Sequence, residues 1–316
     1  MASQAKHDPD RRHKIEAQRE AARRARRRNW LLAAGGAVLT AVIVVVALVL
    51  AQPGTSPSLK TPPSDGPTAA ALASTVRELT AVPASVLDQV GGGELSTADI
   101  GSPTAAGGGY LTPVTGAPLT AGGKPEVLYV GADFCPYCAA VRWPLIVALS
   151  RFGTFSGLAP TRSAIENGAG QAELYPSTVT WTFSSASYAS QYLTFTGVEL
   201  YTNVPDASTG GYTAIKALTQ EQQAVMAASD PSGGIPYINV GGAYVQISVL
   251  APYGPQDLQS KTWDQVTAAA HDPSSALGRN INASANYLTA AICKVTGDKP
   301  ATACTPAVTA LQPRLG

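Results

Sequence analysis

The tetrapeptide Cys135-Pro136-Tyr137-Cys138 constrains this chain most, because of what flanks it. Before it runs the β-prone stretch Glu126 to Phe134, and after it Val141, Leu145, Leu149 and Phe152 recur at helical spacing. A C-x-x-C at the point where a strand becomes a helix puts its first sulfur at a helix N-terminus. Unpaired backbone N–H groups and the helix dipole stabilise a thiolate there, lowering a cysteine pKa from its usual ~8.5. Position, more than the motif itself, therefore points to redox chemistry.

A second signal surrounds Pro236, 98 positions beyond Cys138. Gly233 to Val240 and Ala243 to Ile247 are two β-prone runs joined by Gly241-Gly242, the pattern of a tight hairpin. Pro236 opens the first run, where a strand tolerates proline because no ladder donor is needed.

At this point the chain resembles the thioredoxin superfamily, in which an Ile-Pro or Thr-Pro pair with a cis peptide bond precedes a hairpin and packs beside the C-x-x-C. The resemblance implies a cis Ile235–Pro236 bond facing Cys135. It also implies that the backbone of Ile235 binds an extended substrate peptide by strand addition. Pro144 adds to the likeness, since thioredoxins kink this helix at a proline. The fold class expected is α/β, a thioredoxin-like fold with an insertion between the C-x-x-C helix and the cis-Pro hairpin. The insertion contains three β-like runs, Ser156–Ala164, Thr178–Phe183 and Tyr192–Tyr201, and a helix over Ile215–Ala228. Which run joins the central sheet is not legible from pattern. Two further helices are expected over Asp257–Ala270 and Ile281–Val295.

The charge distribution sets the compartment. Residues 1–29 carry ten Lys/Arg against four acids, whereas everything after residue 51 is net acidic. Between them Trp30 to Ala51 is uncharged and rich in Val, Leu and Ala. At 1.5 Å per residue it reaches about 33 Å, enough for a bilayer's ~30 Å hydrocarbon core. The basic flank places the N-terminus in the cytoplasm and the bulk of the chain outside, at the plasma membrane. A cleaved secretory signal ending near Val49-Leu50-Ala51 is the alternative, against which stands the length of the apolar run. The organisation expected is therefore a basic tail (1–29), a transmembrane helix (30–51), a Pro/Gly/Ser-rich linker with short helices (52–111) and an extracytoplasmic domain (112–316). The basic tail reads as a topology and lipid contact, with no nucleic acid as partner.

All four cysteines follow the apolar run, in a compartment where disulfides persist. Spacing favours the pairs Cys135–Cys138 and Cys293–Cys304, the latter a staple across a short loop, with a second exchangeable dithiol as the alternative. A zinc site from all four is disfavoured, since ten residues separate the second pair.

The wording of residues 131–153, with Asn286 to Cys293, is similar to a more specific family: membrane-anchored thioredoxin-like proteins of actinobacterial and archaeal type known only as a domain of unknown function. That likeness runs from about Val82 to Cys304 and implies location and fold without a substrate.

In the chemistry implied, Cys135 is an exposed nucleophile, Cys138 a shielded resolving thiol and Pro236 their neighbour, while Pro136, Tyr137 and Ile235 meet the substrate. No cofactor is required. Partners would be exported cysteine-containing proteins or a membrane redox partner, with oxidation or isomerisation favoured over reduction. One departure stands out. Thioredoxins carry a buried acid six positions before the first cysteine, and here that position is Tyr129. Asp133 is expected to be solvated, Arg142 to be a solvated charge, Trp143 to be core and His271 to be a capping or surface residue. The competing functions are a non-catalytic peptide-binding module with a static disulfide, and an electron relay that uses both cysteine pairs.

Overall fold

The computed structural model describes residues 59–94, 110–249 and 252–315. The basic tail and the apolar run 30–51 lie outside them. Among the described residues no helix is long and apolar enough to cross a membrane.

Two short helices, α1 (Ala69–Leu79) and α2 (Ala84–Val90), open the described chain. Short strands β1 (Thr112–Pro113) and β2 (Thr120–Ala121) precede the long β3 (Lys124–Gly131) and the motif helix α3 (Pro136–Ser150). The insertion then supplies β4 (Gly153–Ser156), β5 (Ala159–Arg162), β6 (Val179–Thr182), β7 (Ser187–Ser190), β8 (Thr194–Glu199), β9 (Tyr201–Asp206), β10 (Gly211–Ala214) and α4 (Gln220–Ser229). The hairpin β11 (Tyr237–Val240) and β12 (Tyr244–Gln246) follows, then α5 (Trp263–Ala270), α6 (Ala276–Thr296) and α7 (Pro306–Thr309).

The main sheet is mixed. Its order is β1, β12, β11, β3, with both β2 and β8 on the far side of β3. Of the three β-like runs in the insertion, the last enters this sheet: β8 lies parallel to β3, with Glu126 opposite Thr194 and Gly131 opposite Glu199. The other pairs with β3 and along the hairpin are antiparallel. The β11–β12 turn works because Gly241 and Gly242 both adopt positive φ, the requirement of the primed turns that match strand twist.

Alternation along the strands sorts the core into two layers. Val127, Tyr129, Ile238 and Val240 pack with α3 and α6, whereas Leu128, Val130, Val198, Tyr237 and Val245 pack with Met226 of α4. Helix α4 starts at a Thr219–Gln222 capping box, five residues later than periodicity placed it. Helix α6 starts at a Ser275 cap and ends on Gly297 at φ 64°, with the Cys293–Cys304 disulfide at that end. Helix α5 ends at His271, whose Nε2 meets the Glu78 carbonyl at 2.9 Å.

Helices α1 and α2 precede the domain start expected at Thr112. The compact unit begins at Ser58, because the apolar residues of α1 and α2 have a core to enter: Leu79 and Leu87 are fully buried. A buried amide fastens this segment. Asn286 Nδ2 donates to the carbonyls of Leu87 (2.7 Å) and Gly91 (2.8 Å). Replacing Asn286 with Ala takes the donor from the Gly91 carbonyl and leaves the Leu87 carbonyl with the Gly91 N–H alone. It is expected to cost about 1–3 kcal/mol in urea unfolding, with faster amide exchange over 84–91. An unchanged midpoint would mean that apolar burial alone holds the segment.

Candidate functional site

Helix α3 is apolar on every side and is buried accordingly; Tyr137 alone of residues 136–149 is exposed, at 37%. Pro136 occupies the first turn, where its missing N–H costs nothing. Pro144 cannot donate to the carbonyl of Ala140 one turn earlier. The hydroxyl of Tyr253 donates to that carbonyl instead, at 2.8 Å.

Cys135 is the N-cap. Its Sγ accepts the backbone N–H of Cys138 at 3.1 Å, so the first sulfur occupies the place a serine or aspartate oxygen usually takes. Both thiols are free. The expectation of an exposed nucleophile is corrected: Cys135 is 6% exposed and Cys138 is fully buried. The insertion causes this by gripping the residues before the motif. Asp133 N–H donates to the Tyr201 carbonyl (2.9 Å), and Ala164 N–H donates to the Phe134 carbonyl (3.0 Å). The Phe134 ring stacks on Tyr212 at 4.1 Å between centroids, and Tyr137 meets Tyr175 edge-on.

The Ile235–Pro236 peptide is cis. Tyr237 pairs with Val130, so Pro236 lies at the end of β3 from which the chain leaves toward Cys135. Pro236 is buried and Ile235 half-buried.

The two sulfurs are shifted in opposite directions. Burial pushes the Cys135 thiol up, but hydrogen bonds from the Cys138 thiol and backbone, the Arg142 charge and the Tyr137 backbone outweigh it and bring it below its ordinary range. Burial, with the neighbouring Cys135, pushes Cys138 well above that range. One thiolate and one thiol is the pairing that nucleophilic exchange needs.

Beneath them is a charged cluster that sequence reasoning missed. Arg142, expected to be solvated, is fully buried, because α3 has no solvent face for it. Its Nε and Nη2 donate to the two carboxylate oxygens of Glu199 at 2.9 and 2.6 Å, and Nη2 also donates to the Ala132 carbonyl at 2.8 Å. Glu199 is buried at the end of β8, beside Gly131 in register. It also accepts the Phe183 N–H at 3.3 Å. Asp133, likewise expected in solvent, is buried with Arg142 Nη2 at 3.6 Å. Tyr129, at the position of the expected acid, is buried with its ring 5.7 Å from the Arg142 guanidinium. Gly131 makes this possible, since a Cβ there would collide with the Tyr129 hydroxyl. Two signals were available in the sequence: Arg142 is the lone charge in an otherwise apolar helix, and Glu199 the lone acid in a β-like run.

Burial, opposed by Arg142 and reinforced by Glu199, pushes the Asp133 carboxyl up to about 6. The folded state therefore holds this proton more tightly than the unfolded chain does. That contribution is complete below pH ~4 and is lost as pH rises through ~6. Wild type should lose on the order of 1–3 kcal/mol relative to Asp133→Asn between pH 4 and 7, in urea unfolding across pH. Parallel profiles would place the carboxyl in solvent.

Residues 110–217 match the family model described as "Domain of unknown function (DUF929)", a stretch that includes the C-x-x-C and Glu199 and stops short of Pro236. No curated protein and no solved structure matches the chain.

Proposed function

We propose that this protein is a membrane-tethered, extracytoplasmic thiol–disulfide oxidoreductase with a thioredoxin-like fold, acting on exported cysteine-containing proteins or a membrane redox partner. The observation that carries the reading is the Cys135 sulfur capping α3 while Cys138 stays buried behind it. The strand order β8-β3-β11-β12, with β8 and β3 parallel and the rest antiparallel, supports the thioredoxin-like assignment. So does the cis proline at the head of β11. The basic segment 1–29 and the uncharged run 30–51 support the tether and its orientation.

In the oxidised form a substrate thiolate attacks Cys135 Sγ. The Cys135–Cys138 bond breaks, a mixed disulfide to Cys135 forms, and Cys138 leaves and takes up a proton. The substrate's second thiolate then attacks its own sulfur in the mixed disulfide and releases Cys135 as a thiolate. The substrate has lost two electrons and the pair has gained them. The low pKa of Cys135 makes it the better leaving group in this last step, which favours oxidation. Tyr137 in the motif and Tyr201, whose carbonyl accepts the Asp133 N–H, are both exposed. They suit an extended, apolar substrate segment alongside Ile235.

The 6% exposure of Cys135 favours a second reading, a binding module whose cysteines do not turn over. Refolding of scrambled ribonuclease separates the two. The full chain should accelerate it, Cys135→Ser should fall to the uncatalysed background, and Cys138→Ser should accumulate a mixed disulfide with the substrate. Equal rates for wild type and Cys135→Ser would establish the binding module.

A further inference from the structure

The buried Arg142–Glu199 pair joins α3 to the end of β8, a strand already paired with β3 along six residue pairs. Its placement points at the cysteines. Arg142 is one helical turn beyond Cys138, on the same face. Its Nη2 shares the Ala132 carbonyl with the Cys135 N–H, which reaches that oxygen at 3.2 Å. The guanidinium is therefore tied to the same peptide group as the nucleophile's own turn. A buried arginine stays charged and is costly without a fixed partner, which Glu199 provides through two hydrogen bonds.

Resting on the redox reading above, we propose that Arg142, fixed by Glu199, is a positioning residue that stabilises the Cys135 thiolate and so poises the Cys135–Cys138 pair as an oxidant of substrate dithiols. The reduced pair is the charged state, a thiolate on Cys135 with a neutral Cys138, and the disulfide carries no charge. A cation fixed beside the pair stabilises the reduced state alone and raises the tendency of the disulfide to accept electrons. In the balanced step two substrate thiols and the disulfide give a substrate disulfide, one thiolate, one thiol and one proton released to water.

Other groups face the same sulfur. On α3 these are Cys138 and Tyr137. From β3 and β10 come Tyr129 and Tyr212. The charges facing Arg142 itself are Glu199 and Asp133. Arg142 acts on Cys135 with the sign the proposal needs, lowering its thiol. Glu199 sets how much of that charge is left over for the sulfur. Removing the arginine and neutralising its partner must then have opposite effects, which a purely structural role would not produce.

The full chain, Arg142→Met and Glu199→Gln are equilibrated with mixtures of reduced and oxidised glutathione, with folding checked by circular dichroism. The equilibrium constant for reduction of the pair by glutathione is read from trapped thiols. Arg142→Met should lower it roughly tenfold or more, the effect of losing a close opposite charge on one thiolate. Glu199→Gln should raise it. A folded Arg142→Met within twofold of wild type overturns the proposal. If Arg142→Met does not fold, Glu199→Gln decides alone: an increase supports the proposal, and an unchanged or lower constant overturns it. A wild-type pair that never exchanges with glutathione removes the redox reading itself, and this inference with it.

Discussion

Helix α3 presents one exposed side chain among residues 136–149, and the rest of the fold is arranged to satisfy that constraint. An element apolar all round is stable only when wrapped. The Val127–Tyr129 face of the sheet and helix α6 cover part of it. The insertion covers another part: Trp143 packs edge-on to Trp181 and donates to the Val179 carbonyl at 3.1 Å, and Thr180 Oγ1 donates to the Ala139 carbonyl at 2.9 Å. Wrapping brings in polar groups as well as apolar side chains, and the Ala140 carbonyl that Pro144 leaves free takes the Tyr253 hydroxyl.

The same wrapping explains the electrostatics of the site. A cysteine at a helix start is ordinarily acidified by the N–H groups it caps. Here water is excluded as well, which by itself would favour the neutral thiol. The balance turns on donors and charge supplied by the protein: the Cys138 N–H, and a guanidinium that the apolar helix carries into the interior. At Cys138 burial and the neighbouring Cys135 outweigh the same Arg142 charge, and its thiol is pushed well up. Asymmetry between two sulfurs three residues apart thus follows from one capping geometry and one buried cation.

Much of this was legible in residues close together in sequence. The strand before Cys135, the helix after it and the Gly241-Gly242 hairpin are local patterns, each set by periodicity or by a turn that needs glycine. The helix caps at Thr219 and Ser275 are local too, although their use shifted element starts by several residues. What escaped is non-local. Glu199 reaches the motif only because β8 pairs in parallel with β3, and nothing in Thr194–Tyr201 announces that neighbour. Asp133 is buried because the Tyr201 carbonyl takes its N–H, a contact across 68 positions. Residues 69–90 read as short helices within a linker because Pro/Ser/Gly-rich and glycine-rich stretches flank them, yet Leu79 and Leu87 fill space beside α5 and α6. Lone charges inside apolar runs were the usable clue. Arg142 in α3 and Glu199 in β8 are partners of that kind.

The account rests on two thiols in one motif being held in different protonation states. Alkylation of the reduced full chain by iodoacetamide across pH, with each cysteine followed by mass spectrometry, measures this directly. Cys135 should react with an apparent pKa clearly below the ordinary ~8.5 of a free thiol, while Cys138 remains unmodified until the protein unfolds. An ordinary or raised pKa at Cys135, or equal labelling of both cysteines, would contradict it.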